Sequence, residues 1–368
     1  MSVVLAAVMP GEGGPVEVQE FDEPALEADS ALMRVELSEV CGTDVHLRDS
    51  RLAGVPYPII PGHVSVGRLE KIRGRLLDIH GEPLAEGDRI TFLDVHRTCH
   101  ACWHCLVAKA STRCPHRKVY GITYGVEDGL TGGWAEMLYL KPGTLCIRLG
   151  RVDDEAFMAG GCGLPTSLHA IDRAEFRIGD TVLVLGSGPV GLSTIILAKM
   201  AGALKVLCIG APGSRLEVAR AVGADDVLDF ELKSMAARLD WVREHTQGRG
   251  TDITIEATGE PSAVVQAMRF TRDAGRVVVV GQYTDHGETP FNPHLDLNKK
   301  HLEIRGCWGS DFSHFYRGVQ IMADPRKSAP WRKLDLKRFG LNEANEALAA
   351  VESGTVVKAL MDPRKEEA

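Results

Sequence analysis

The densest chemistry in this chain lies in the run CHACWHCLVAKASTRC, which sets Cys99, Cys102, Cys105 and Cys114 on one short stretch. Thiolates at Cys-x-x-Cys spacing can converge on a point, and Zn²⁺ takes four soft ligands in a tetrahedron. Four protein sulfurs leave no position for a substrate, so the set predicts a structural zinc rather than a reactive one. Two plainer readings stand beside it, reduced buried thiols and disulfides, and the clustering argues against both. His100, His104 and His116 crowd the same stretch and either replace one cysteine or face solvent. A structural zinc staples a lobe, so reactivity must be sought elsewhere.

Three further motifs hold ligand and acid–base types. CGTDVH carries Cys41, Thr43, Asp44 and His46, PGHVSVG carries His63, and GGCGLPTSLHA carries Cys162. Two thiolates and an imidazole brought together by folding make three zinc ligands with a fourth position open, the mark of a catalytic zinc. Singly, Cys41 suits core packing, His63 a hydrogen-bonded turn, Cys162 a domain seam and His46 an exposed loop. Their company with a zinc lobe and a nucleotide motif favours the joint reading.

That nucleotide motif is GSGPVG, a G-x-G-x-x-G with Gly186, Gly188 and Gly191. Gly186 permits a tight strand-to-helix turn, Gly188 lets backbone approach a pyrophosphate, and Gly191 lets the helix pack close to the strand. The helix that opens at Pro189 and Val190 offers N–H groups to the anion. A strand, TVLVLG, precedes it and a helical pattern follows, which separates it from a glycine-rich turn without a ligand. The acidic residue that normally holds adenosine ribose hydroxyls should fall near position 210, which is Gly210. A carboxylate there would repel a 2′-phosphate, whereas Ser214 or Arg215 could reach one, so the balance tilts toward NADP. An arginine can also brace a plain ribose.

These groups need elements to position them. Residues 1 to about 160 read as short strands between Gly, Pro and Asp turns (ALMRVELSEV, SVGRLEKI, EGDRITFL, GGWAEMLYL), the rhythm of a β-rich, barrel-like domain with the zinc lobe (about 96–116) inserted. From about 180, buried-length strands alternate with helices: TVLVLG, KVLCIG, ADDVLDF, TDITIEAT and RVVVVGQ, with helical patterns between. Such alternation requires a parallel sheet covered on both faces. The pattern ends near LEIRGCWG, and the tail, with ANEALAAVESG helical and VVKALMDP extended, returns to the first domain. The expected boundaries are 1–163, 164–306 and 307–368.

At 368 residues the chain predicts two domains, and its 44% hydrophobic and 25% charged composition is that of a globular protein. A formal net charge of −8 argues against nucleic acid or an anionic membrane as partner. The N-terminus lacks a basic region and a long apolar core, and the run VGLSTIILAKMAGA is interrupted by Lys199 and too short to span a bilayer. Nine cysteines without an export signal point to a reducing cytoplasm and to metal binding over disulfides.

Together, CGTDVH, PGH, the four-cysteine lobe, GGCG, GSGPVG and the terminal SGTVVK resemble the zinc-dependent medium-chain alcohol dehydrogenases, in family order over nearly the whole length. The resemblance implies a Rossmann doubly wound coenzyme domain, a barrel-like (GroES-like) catalytic domain and an active site in the cleft between them. It implies two Zn²⁺ per chain, a nicotinamide cofactor, a small alcohol or carbonyl substrate and a homo-oligomer, dimer or tetramer. Cys41, His63 and Cys162 match the catalytic zinc ligands, and Asp44 matches a carboxylate that orients the histidine ligand. Thr43 matches the hydroxyl on the substrate oxygen, and His46 the far end of a proton relay. Thr166 matches a residue facing the nicotinamide, and Lys358 a basic residue near the pyrophosphate. Thr43, Asp94, Val95 and the stretch around Trp308 are pocket-lining candidates, with Asp94 and His96 hinting at a polar pocket.

Three features depart from the family pattern. Eight residues separate Cys105 from Cys114 where seven are usual, and Val64 replaces a glutamate that lies behind the zinc. The segment RLLDIHGEPLAEGDRI lengthens a turn into a surface hairpin. Competing functions are a zinc-independent reductase of activated C=C bonds and a non-catalytic dinucleotide-binding protein. Metal content separates them: two zincs per chain for the dehydrogenase, one for the others.

Overall fold

A computed structural model describes residues 3–11 and 13–365. The chain divides into two compact units, Met1–Gly161 with Asp311–Ser328 and Asp335–Ala368, and Cys162–Ser310 with Ala329–Leu334. Among the described residues no helix is long and apolar enough to cross a membrane.

The first unit opens with β1 (Val3–Val8) and β2 (Glu17–Asp22), an antiparallel pair. β3 (Ser30–Val40) follows, then α1 (Gly42–Arg48), β4 (Ser65–Arg73) and β5 (Arg89–Phe92). The four-cysteine lobe lies between β6 (Val95–Arg97) and β7 (Lys118–Val119), and contains α2 (Trp103–Leu106). β8 (Met137–Leu140), β9 (Cys146–Arg148) and α3 (Asp154–Gly160) complete this stretch. β3 is the hub, pairing antiparallel with β4 and with β8. Its alternate residues Ala31, Met33 and Val35 face a core with Ile90, Phe92, Tyr120 and Leu138, the period of two that a strand imposes. The lengthened segment is a hairpin: Asp78 and Leu84 donate their N–H groups to Glu82 and Leu76, both at 2.9 Å, while buried Leu76 and Leu84 anchor it.

The second unit begins with α4 (Gly163–Ala174) and then alternates β10 (Thr181–Leu185), α5 (Pro189–Met200), β11 (Lys205–Gly210), α6 (Gly213–Val222) and β12 (Asp226–Asp229). α7 (Met235–His245), β13 (Thr251–Glu256), α8 (Pro261–Phe270), β14 (Thr271–Val279) and β15 (Glu303–Gly306) follow. The sheet order is β12-β11-β10-β13-β14-β15, parallel throughout. Strand order reverses between β10 and β13, and the crevice beyond their C-terminal ends is where such sheets bind ligands. LEIRGCWG supplies the sixth strand, one beyond the alternation read from sequence.

The chain then returns to the first unit through α9 (Phe312–Met322) and α10 (Pro325–Ser328), and later through β16 (Leu336–Phe339), α11 (Ala344–Glu352) and β17 (Lys358–Met361). β17 pairs antiparallel with the end of β3. The return is less simple than the expected 307–368 block, because residues 329–334 stay with the second unit. The cause is Trp331, fully buried with its indole N–H donating to the Ser193 hydroxyl on α5 (3.1 Å), together with Lys333 donating to the Ala221 carbonyl (2.7 Å).

Candidate active site

Cys41 directly follows β3 and caps the start of α1, while His63 sits on the turn that enters β4. That turn needs Gly62, whose φ is +91° and whose Cβ would lie 2.6 Å from both the Ser38 hydroxyl and the Trp134 ring. The result brings His63 Nε2 to 3.9 Å from Cys41 Sγ. Cys162 follows Gly161 directly after α3, and one ligand atom from each of Cys41, His63 and Cys162 lies within 4.8 Å of the others. Burial alone would push the His63 imidazole down, but the Cys41 thiolate beside it more than reverses this and raises it to about 10. The pair therefore favours positive charge, the property a metal exploits. Asp44 is fully buried, which pushes its carboxyl well up, and the Cys41 thiolate adds to this.

The Asp44 carboxylate accepts the Cys41 backbone N–H at 2.8 Å, so its direct hold is on the cysteine ligand. Its Oδ1 and His63 Nδ1 are buried without a hydrogen-bond partner among the described residues. Asp44 thus acts on His63 through its charge. Two soft donors, one imidazole and no fourth protein donor in the set fit a zinc that keeps one position open.

Cys99, Cys102, Cys105 and Cys114 form a second set within the same 4.8 Å limit, without His100, His104 or His116. Cys114 Sγ lies 3.5 Å from Cys99 Sγ and 4.0 Å from Cys102 Sγ. A tetrahedron with Zn–S bonds of about 2.3 Å has edges of about 3.8 Å, so the spacing fits zinc. Separations this long exclude S–S bonds, and all nine cysteines are free thiols. The backbone N–H of Ala101 and the neighbouring thiols lower Cys99 to about 6, which readies a thiolate near neutral pH.

In the second unit the glycine motif joins β10 to α5. Gly186 has φ +109°, and its Cβ would meet the Ala257 carbonyl oxygen at 2.7 Å. A Cβ on Gly191 would overlap the Gly186 carbonyl, whereas one on Gly188 would meet nothing within 4 Å. The two packing glycines of the motif are thereby distinguished from Gly188, which has open space before it. Pro189 and Val190 form the first turn of α5, against which α4 packs: Ser167 donates to the Val190 carbonyl at 2.9 Å. Thr166, partly exposed on α4, adjoins that contact.

A cavity of ≈ 650 Å³ opens beside the motif, lined by Gly186, Gly188, Gly210, Arg215, Phe230 and Arg238 among others. Gly210 ends β11 as expected, and its Cβ would press on the Ser187 hydroxyl at 2.6 Å, so packing also excludes a side chain there. Arg215 lines the cavity; Ser214 is exposed on α6 and outside it. Sequence reasoning missed Arg238, which donates to Gln266 Oε1 at 2.8 Å on the far side. Only the fold brings α7 and α8 to that wall.

Other expected residues divide. Thr43 and His46 lie three apart on α1, hence on one face, and both are partly exposed. Asp94 contributes negative charge to His63, whereas His96 is engaged with the Tyr124 hydroxyl and the Pro142 carbonyl. Trp308 stacks on Tyr283 at 5.5 Å and donates its indole N–H to the Tyr283 carbonyl at 3.0 Å. Lys358, matched to a basic residue near the pyrophosphate, is fully buried on β17 and holds an ion pair with the equally buried Glu39.

Residues 27–150 match the alcohol dehydrogenase GroES-like domain, and residues 189–324 match the zinc-binding dehydrogenase family. The chain is 32% identical over 340 residues to 5-exo-hydroxycamphor dehydrogenase of Pseudomonas putida, covering 90% of this chain and 91% of the relative. A Thermotoga maritima alcohol dehydrogenase structure superposes with a TM-score of 0.93 at 32% identity, over 99% of this chain and 100% of that one. A Sinorhizobium meliloti zinc-binding dehydrogenase of putative function, solved bound to NADP, gives a TM-score of 0.83 at 25% identity over 99% and 100%.

Proposed function

The chain belongs to the zinc-dependent medium-chain alcohol dehydrogenases, and we propose that it binds two zinc ions, one structural and one catalytic, and prefers NADP. It is an NAD(P)-dependent oxidoreductase acting on a small-molecule alcohol or the corresponding carbonyl compound. The convergence of Cys41, His63 and Cys162, separate from the four-thiol set, carries the catalytic reading. In this reading the first unit is the catalytic domain and the second holds the dinucleotide. A reductase of activated C=C bonds has no use for the three-donor set.

Bound zinc supplies a Lewis acid that eases loss of the alcohol proton, and the nicotinamide supplies a hydride acceptor at C4. The Thr43 hydroxyl would take that proton, and His46, three residues along α1, would stand at the far end of the relay. Asp44 holds the Cys41 backbone and keeps negative charge near His63. Thr166 faces the nicotinamide, and the α5 N-terminus at Pro189–Gly191 receives the pyrophosphate. Arg215 and Arg238 take the 2′-phosphate in the cavity where Gly210 leaves no carboxylate. Free thiols throughout the described residues favour a cytoplasmic setting, and the family resemblance favours a homo-oligomer.

The test is metal analysis of the native protein together with kcat/KM for NADP and NAD on a panel of alcohols. Two zincs per chain and at least about a tenfold preference for NADP are expected, since charge-assisted hydrogen bonds contribute ~1.5–3 kcal/mol each. A preference for NAD would remove the 2′-phosphate assignment, and one zinc per chain would remove the catalytic metal.

A further inference from the structure

We propose that the buried Glu39–Lys358 ion pair positions the three metal-ligand segments, with Glu39 supplying the carboxylate that Val64 does not. The proposal rests on the catalytic-zinc reading of Cys41, His63 and Cys162. An ion pair whose side chains are 0% and 1% exposed is costly to bury, and removing one partner strands a charge. Such a pair can fix a geometry, and here its side chains pack against Gly161 beside Cys162, while Glu39 stands on the strand that leads to Cys41 and meets the His63 segment through its backbone.

Glu39 lies two residues before Cys41 on β3. Its N–H donates to the Val64 carbonyl at 2.9 Å, tying it to the residue after His63. Its own carbonyl accepts the Trp134 indole N–H at 2.9 Å, which pins the strand from the other side. On the third segment, a Cβ on Gly161 would overlap both the Glu39 carboxylate and the Lys358 ammonium, so the pair packs against the residue that precedes Cys162. The pair is neutral overall and adds no net charge to the site. It acts through position.

Register explains why the carboxylate can sit at 39 rather than 64. Ser38 pairs with Ser65 across β3 and β4, their hydroxyls 3.0 Å apart. Glu39 and Val64 extend this register by one residue just before β4 begins, joined by the Glu39 N–H to the Val64 carbonyl, and opposed residues share a face with Cβ atoms about 4.5–5.5 Å apart. A glutamate at 64 would project from the neighbouring strand into the same buried space.

The experiment compares native protein, Glu39→Val, and the exchange Glu39→Val with Val64→Glu. Three quantities are read: zinc per chain, the rate at which a chelator removes the more labile zinc, and the absorption bands of the cobalt-substituted protein. Glu39→Val should lose that zinc at least about tenfold faster, as is usual when a residue supporting metal ligands is removed. The four-thiol zinc should be retained. The exchange should restore both the slow release and the cobalt spectrum. If Glu39→Val does not fold, recovery of a folded protein with two retained zincs by the exchange carries the same support. Native release rate and spectrum in Glu39→Val would overturn the proposal, as would an exchange variant that folds yet releases zinc quickly. A native protein with one zinc would instead overturn the catalytic-metal reading on which this rests.

Discussion

Single atoms decide most of the binding chemistry. The three motif glycines look alike in sequence, yet an added Cβ meets a carbonyl at Gly186 and Gly191 and open space at Gly188. Gly191→Ala should destabilise the second unit by about 1–3 kcal/mol through overpacking. Gly188→Ala should leave melting within about 1 kcal/mol of native, since only a cap preference changes, while weakening dinucleotide binding at least about tenfold. Thermal melts and dinucleotide titration of both variants check this; equal behaviour would mean that Gly188 does not face the ligand. A similar separation operates at the metal donors. Cys41 and His63 are drawn together by Gly62 and the end of β3, while the Cys41 thiolate raises His63 to about 10.

At the scale of elements, the zinc lobe has no core of its own. α2 is four residues long and buries none of them, and Trp103, Leu106 and Val107 are each more than half exposed. A helix this short has no intrinsic stability, so in the proposed reading the metal holds the loop. Cys102→Ser should therefore open residues 97–117 to proteolysis while dinucleotide binding by the second unit persists; native resistance in that variant would show that zinc is not the staple. The alternation from β10 to β14 was legible because each parallel strand is a short apolar run and each crossover is helical. α3 and α4 were not, since GGCGLP reads as a break. Pro165 in fact stands in the first turn of α4, where a missing N–H costs nothing. The Trp331 anchor and the Glu39–Lys358 pair were also hidden, because partners 138 and 319 residues apart leave no local pattern. A charged residue within a strand reads as surface until the fold buries its partner beside it.

For the whole molecule, a net charge of −8 and free thiols suit a small-molecule enzyme, and two units divide its work. In the proposed reading Cys41 and His63 of the first unit and Cys162, the first residue of the second, supply the metal chemistry, and the reversed parallel sheet of the second unit holds the dinucleotide. This division predicts that the two functions can be separated by one substitution. The most direct measurement is kcat/KM of Cys162→Ser beside the native enzyme, with zinc content and dinucleotide affinity measured on the same samples. Loss of a Lewis acid worth about 4 kcal/mol corresponds to a fall of about 10³-fold in rate. The account predicts that fall, one zinc per chain in place of two, and dinucleotide affinity within about twofold of native. A Cys162→Ser protein that has lost that zinc yet turns over at the native rate would contradict it.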